Sequence, residues 1–214
     1  MPINAAIRHA PFQPTESIYM SMELSPRATE IAEHTKALLA AGGYNGFSYA
    51  DLSERVRIGK PSIHHHFPSK EELVLTVVAR HREQAREGMA ALDRQVADPL
   101  ARLNAYTDYW SQCIRDGSAS MCICAMLAAE LAMIPPAVAA EVRGYFGDLT
   151  AWIATILKKG AKLGQFQLRG SAAVEAQAFM STVHGAMLTA RAFDNPQAFA
   201  SIAQAAIKRL TAPA

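Results

Sequence analysis

No stretch of this 214-residue sequence carries the ~18 to 20 consecutive apolar residues that a membrane-spanning helix needs, and its first 24 residues lack the contiguous apolar core of a secretory leader. The expected compartment is therefore the cytoplasm, with no membrane partner. Cysteine is scarce: three residues, an odd number, at 113, 122 and 124, which points to reduced thiols rather than a disulfide framework. Runs of β-branched residues are scarce as well, and strand-like alternation between turn signals does not recur, so no sheet is expected. The spacings that accompany catalysis are missing too, G-x-S-x-G, G-x-x-x-x-G-K-[ST] and H-E-x-x-H among them, so neither an enzyme nor a cofactor is expected. Charge of one sign is not in excess, since the net charge is only +2. A small reading head can still be locally basic on a neutral body.

What the chain has is helix-forming material. Half of its residues are hydrophobic and alanine recurs throughout, which gives an all-α class with enough length for a small domain and a larger bundle. Residues 1 to about 24, with Pro2, Pro11 and Pro14 among mixed polar residues, read as a flexible arm, with Met20 or Met22 as alternative starts. Ser25 caps a first helix with Pro26 at its opening, and Gly42 and Gly43 end it. Further helices are expected from Ser69 toward Leu92, from Asp98 to about Arg115, from Met121 to Met133, from Ala137 to about Leu163, from Ser171 to Phe193 and from Asn195 to Leu210.

The densest information lies between Phe47 and Leu73, FSYADLSERVRIGKPSIHHHFPSKEEL. Ser48 stands three residues before Asp51, and Ser69 three before Glu72, the spacing of two capping boxes. Between them Arg57, Ile58 and Gly59 leave room only for a sharp corner before a short segment from Lys60 to His66, which makes a helix-turn-helix unit. Phe47, Leu52, Val56, Ile58, Ile63 and Phe67 form its inner side. Ser48, Tyr49, Lys60, Ser62, His64 and His65 are left outside, as donors suited to phosphates and base edges. Pro61 falls in the first turn, where its missing N–H does no harm. Arg57 occupies a position that favours positive φ, at a cost of about 1 kcal/mol relative to glycine.

On these residues, GKPSIHHHFPSKEEL preceded by SYADLSERV, the chain resembles the amino-terminal domain of the tetracycline-repressor (TetR) family of bacterial regulators. The matching pattern runs from Arg27 to about Val78. Family members commonly have Tyr at the place of His64, Gly at that of Arg57 and Ser at that of Gly59. The resemblance implies a three-helix DNA-binding domain over residues 25–70 and a ligand-binding and dimerisation domain over 71–214, with about nine helices in all. It also implies that Lys70 contacts a phosphate, that the last two helices pair with their copies in a homodimer, and that a small-molecule effector releases the repressor from a double-stranded DNA operator with inverted-repeat half-sites. Val174, Phe179, Met180, Val183, Met187, Phe199, Ile202, Ile207 and Leu210 are the apolar residues of those two helices, for which an intrachain core is the alternative use.

Large or adaptable side chains at Tyr106, Trp110, Met126, Glu130, Phe146, Trp152, Phe179, Met180 and His184 are the candidates for an effector pocket, plain core being the alternative for each. Cys122 and Cys124 follow the loop at 117–120 at an expected helix start, a place that favours thiolate. A cysteine at this place is similar to one in TetR-like repressors that respond to quinones, aldehydes and chlorine species; the other reading of Cys122 is a buried structural thiol. His64, His65 and His66 do not make a metal site, because consecutive helical residues point about 100° apart, and no metal is expected. The rival function is a helical protein-binding adaptor without DNA binding, which would leave the face of Lys60, Ser62 and His65 unused.

Overall fold

The computed structural model describes residues 24–211, so the arm expected before Ser25 lies, but for Leu24, outside the described residues. Among these residues there are nine helices and no strand: α1 Pro26–Gly42, α2 Tyr49–Val56, α3 Lys60–His66, α4 Lys70–Gln95, α5 Pro99–Asp116, α6 Ile123–Ala128, α7 Pro136–Lys162, α8 Ala172–Ala192 and α9 Pro196–Thr211. Helix starts follow the capping chemistry closely. Ser25, Ser48, Ser69, Asp98 and Ser171 each accept a backbone N–H from the first turn, satisfying one of the orphan donors there. At Ser48 the box is complete, with Asp51 returning a carboxylate to the Ser48 amide at 2.7 Å.

The helix expected from Met121 to Met133 is shorter than its composition promised. It begins at Ile123 and ends at Ala128, after which Ala129, Glu130 and Met133 donate to carbonyls three residues back. Those tighter bonds wind the chain into turns that run to Pro135.

In the head, α1, α2 and α3 close around Ile31, Leu39, Leu52 and Ile63, all wholly buried, with Phe47, Val56 and Phe67 beside them. Burying each such side chain stabilises the unit by roughly 1.5–3 kcal/mol. Ile58, expected in this core, is half-buried at the corner. Arg57 does adopt the left-handed conformation, φ 57°, and Ser53 Oγ donates to the Ile58 carbonyl to hold the turn. Helix α4, 26 residues and so about 39 Å long, packs on both α1 and α7. Arg82 fixes that second contact, reaching Asp148 at 2.7 Å and Glu141 at 3.2 Å. It passes over Gly144, where any β-carbon would overlap the guanidinium. The corner between α4 and α5 is held by buried Arg102, paired with Asp93 at 2.7 Å and donating to the Val96 carbonyl.

Helices α8 and α9 pack on each other, α8 also on α7 and α9 on α5. Of the apolar residues named for these two helices, Phe179, Val183, Met187, Phe199, Ile207 and Leu210 are buried within the single chain and form its core. The outward stripe of α8 is carried instead by Val174, Ala178, Ser181, Gly185 and Leu188, with Phe193 exposed just beyond its end. Among the described residues no helix is long and apolar enough to cross a membrane.

Candidate nucleic-acid interface and thiol centre

The outer side of the head is α3. Ile63 alone of this helix turns fully inward, and Lys60, Pro61, Ser62, His64 and His65 are exposed together on its other side. Two of the residues expected on that side are partly occupied by the fold. Tyr49 is half-buried and its hydroxyl donates to the Phe67 carbonyl at 3.0 Å; burial, then the nearby Glu72 and Tyr44, push its pKa up to about 12. Ser48 is exposed but spends its Oγ on the cap of α2. His64 leans on Tyr49, ring centroids 4.7 Å apart, with Nδ1 3.1 Å from the Pro68 carbonyl oxygen, and His65 meets His66 edge-on at 5.3 Å.

Lys70, for which resemblance implied a phosphate contact, turns back into the head. Its ammonium donates to the Phe47 carbonyl and lies 4.2 Å from the centre of the Phe47 ring and 4.8 Å from that of Tyr44. Burial lowers its pKa, against the opposing pull of Glu130 and Asp51.

Two residues of the body grip the head directly. Glu130, after α6, accepts from the Tyr44 amide at 2.6 Å and from the Asn45 amide and side chain at 3.4 Å. Gly43, at φ +72°, makes this approach feasible, since a β-carbon there would collide with the Glu130 carboxylate. Arg191, near the end of α8, donates to the carbonyls of Ala40 and Ala41, the acceptors that the last turn of α1 leaves open. Glu130 was grouped by sequence with the effector candidates; its carboxylate is a clasp on the loop between α1 and α2.

The remaining effector candidates fall into two neighbouring groups. Tyr106 and Trp152 meet edge-on with ring centroids 5.7 Å apart, beside buried Trp110. The Trp152 indole N–H donates to Asp93 at 3.0 Å, so this ring serves the α4–α5 corner. In the second group Phe146 meets His184 edge-on at 5.2 Å, and Thr150 Oγ1 donates to the Met180 sulfur at 3.2 Å. Met126 is half-buried, its sulfur 3.6 Å from the Arg191 guanidinium. Phe179 is buried but stands five residues from His184, about 140° round the helix, and so faces elsewhere. Two surface depressions lie between α1 and α4 and between α5 and α9, and none of these residues lines either.

Between the two groups lies Cys122, wholly buried with a free thiol, as is Cys124; Cys113 is also free and buried. His81 Nε2 of α4 is 3.9 Å from the Cys122 sulfur, and the Cys122 thiol donates to the Tyr145 hydroxyl of α7 at 3.5 Å. The His81 and Tyr145 rings are stacked, centroids 5.3 Å apart. Burial raises the Cys122 pKa, but hydrogen bonding with Cys124, His184 and His81 outweighs it and holds the thiol well below its ordinary value. The sequence had placed the cause at a helix start; the neighbouring side chains supply it. Cys124 is displaced upward, by its bond to Cys122 and then by burial. His184 donates through Nδ1 to the Met180 carbonyl at 2.9 Å, while its buried Nε2 makes no hydrogen bond of ordinary geometry. Burial works against a charge on this ring, yet the Cys122 sulfur beside it raises its pKa. His81, Tyr145 and Arg191 were not among the candidate residues: nothing in the local pattern marks them, and they meet their partners across 41, 23 and about 150 residues of chain.

Known proteins share this chain's domains and fold. Residues 31–77 match the family model described as bacterial regulatory proteins, tetR family, and residues 99–206 match the tetracyclin repressor-like C-terminal domain. The solved structure of a TetR-family transcriptional regulator from Agrobacterium tumefaciens is similar over 87% of this chain and 98% of its own, with 44% identity and a TM-score of 0.84. The reduced form of E. coli NemR shares the fold at 18% identity and a TM-score of 0.74, covering 89% of this chain and all of its own. So does AibR, solved with isovaleryl coenzyme A and operator DNA, at 19% identity and a TM-score of 0.67, covering 88% and 100%. The comparison with curated proteins returned no match. With its helix-turn-helix head and helical body, this chain belongs to the TetR family of DNA-binding transcriptional regulators.

Proposed function

We propose that the protein is a homodimeric repressor that grips an inverted-repeat operator through α3 of each subunit and is released when a small molecule acts on the body. The observation that carries this reading is the outer side of α3: Lys60, Ser62, His64 and His65 stand exposed together on a helix whose inner side is locked by Ile63. Lysine and hydroxyl donors on such a helix suit base edges and phosphates in a major groove. Dimerisation is supported by the outward stripe of Val174, Ala178, Gly185 and Leu188, small and apolar residues that allow close helix approach. Two heads related by a two-fold axis would address half-sites about 34 Å apart.

Release follows from the two clasps. A change in packing near Cys122 shifts the short α6 and the turns after it, Glu130 moves with them, and the head is repositioned through Tyr44 and Asn45. Two inputs are supported. Tyr106 Oη is buried without a hydrogen-bond partner, a lack that a bound polar group would fill. Cys122 is a thiol set among His81, His184 and Tyr145, an arrangement suited to attack on an electrophile.

The test is a gel-shift assay of the purified protein on DNA upstream of its own gene, with and without a thiol-reactive quinone, beside Cys122→Ser. A specific shift, released by quinone in the wild type and not in the variant, is the expected result. No shift on any upstream DNA would overturn the repressor reading in favour of an adaptor. A shift unaffected by quinone would move the input to reversible binding near Tyr106.

A further inference from the structure

We infer that His81, Cys122 and Cys124, with His184 as a fourth donor, form a binding site for a thiophilic divalent cation of the zinc type, which joins the connector helix α4 to the body. One nitrogen and two sulfur donor atoms, from α4 and from the start of α6, all lie within 4.8 Å of one another. Around zinc, with bonds of about 2.3 Å to sulfur and 2.0–2.1 Å to nitrogen, tetrahedral donors stand about 3.5–3.8 Å apart. The His81–Cys122 separation of 3.9 Å is already close to that.

His184 is prepared in the manner of a metal-bound histidine. Its Nδ1–H is spent on the Met180 carbonyl, which fixes the ring and leaves the lone pair on Nε2. That Nε2 is buried and makes no hydrogen bond of ordinary geometry, and the ring stands beside the Cys122 sulfur. The site also has a way in. His81 is half-exposed and lines the surface depression between α1 and α4, so one ligand residue reaches the surface while both sulfurs lie within.

Charge selects the ion. Capture of M²⁺ by two thiols forms two metal–sulfur bonds and releases two protons to solvent, with no change of oxidation state. Two thiolates and two neutral imidazoles then balance a divalent cation, giving a neutral site in a buried, low-dielectric place. A monovalent ion on the same two thiolates would leave an uncompensated negative charge. Any effect on operator binding rests on the function proposed above, with the ion fixing α4 against α6 and shielding Cys122 from electrophiles; binding of the ion itself does not.

The test uses the full chain, reduced and free of oxygen, titrated with cobalt(II) and read by absorbance, with no DNA present. The expected result is one ion per chain with a thiolate-to-cobalt charge-transfer band, displaced by zinc. His81→Gln, at the half-exposed position least needed for folding, should weaken binding at least about tenfold, and Cys124→Ser should abolish the band. Zinc should also slow alkylation of Cys122. Exposed imidazoles on α3 give no thiolate band, so they cannot imitate the result. Absence of the band, its persistence undiminished in both variants, or tight binding of copper(I) alone would each overturn the assignment. Because the readout is spectroscopic, failure here leaves the gel-shift result standing, and the reverse is equally true.

Discussion

In the head the side chains that matter face outward from a local stretch of sequence; in the body they face inward and come from four helices. Lys60, Ser62, His64 and His65 lie within six residues and are exposed. His81, Cys122, Tyr145 and His184 span more than a hundred residues, and Cys122 is wholly buried. The lesson is one of energetics. An exposed reading face costs the fold little and can be changed residue by residue, whereas a buried polar cluster is held together by mutual hydrogen bonds and fails as a unit. Glu130 and Arg191 are where the two regimes meet.

The sharpest way to break the comparison is to damage one side and look for survival of the other. Ile63→Ala removes a wholly buried side chain from the head core and should destabilise that unit by about 2–5 kcal/mol, measured by urea denaturation. Operator binding should be lost while cobalt binding in the body persists. Simultaneous loss of both would show that head and body are a single cooperative unit.

The clasp comes next. Glu130→Gln keeps the shape of the side chain but replaces a charged acceptor of the Tyr44 and Asn45 amides, and should cost about 1–3 kcal/mol. If Glu130 transmits the signal, modification of Cys122 should lower operator affinity less in this variant than in the wild type, as read by gel shift. Equal responses would assign transmission to α4 alone.

Lys60→Ala tests the outward face without touching either core. A base contact should cost about 1–3 kcal/mol on the specific operator and relax sequence preference, with unfolding midpoint unchanged. Equal weakening on specific and random DNA would reassign Lys60 to phosphate.

The smallest effect concerns pH. Tyr49 has its folded pKa raised from 10.0 to about 12, so its contribution is present below pH 10 and lost as pH rises through that interval, where the phenolate can no longer donate to Phe67. Tyr49→Phe should cost about 0.5–1.5 kcal/mol at neutral pH and flatten the fall in thermal stability between pH 10 and 12. An unchanged alkaline profile would show that Tyr49 is not the group responsible.

Most of the fold was legible because helix ends are local chemistry. Ser25, Ser48, Ser69, Asp98 and Ser171 announce themselves, and each caps the helix expected of it. The exception, the stretch after Ala128, looked helical from its composition; the tightened turns and the clasp of Glu130 on the head depend on partners far away in sequence. Among the site residues, the exposure of Lys60, Ser62, His64 and His65 followed from helical periodicity alone. Lys70 did not follow: a lysine at a helix start looks free to meet phosphate until the rings of Phe47 and Tyr44 are seen to shelter it. Cys122 stood out by residue type, but the reason for its lowered pKa was invisible, because His81 and His184 carry no mark of proximity to it.

By itself, then, the sequence determined the all-α class, the places where helices begin, the helix-turn-helix head and its outward face, since each depends on interactions within a few residues. Only the tertiary structure decided what the buried groups do: that Trp152 and Arg102 hold a corner, that Glu130 and Arg191 bind the head to the body, and that two cysteines meet His81 while His184 stands beside them. The physical reason is distance along the chain. Capping and periodicity act between near neighbours, whereas burial, hydrogen bonding and donor sets in the interior exist only once separate helices have packed.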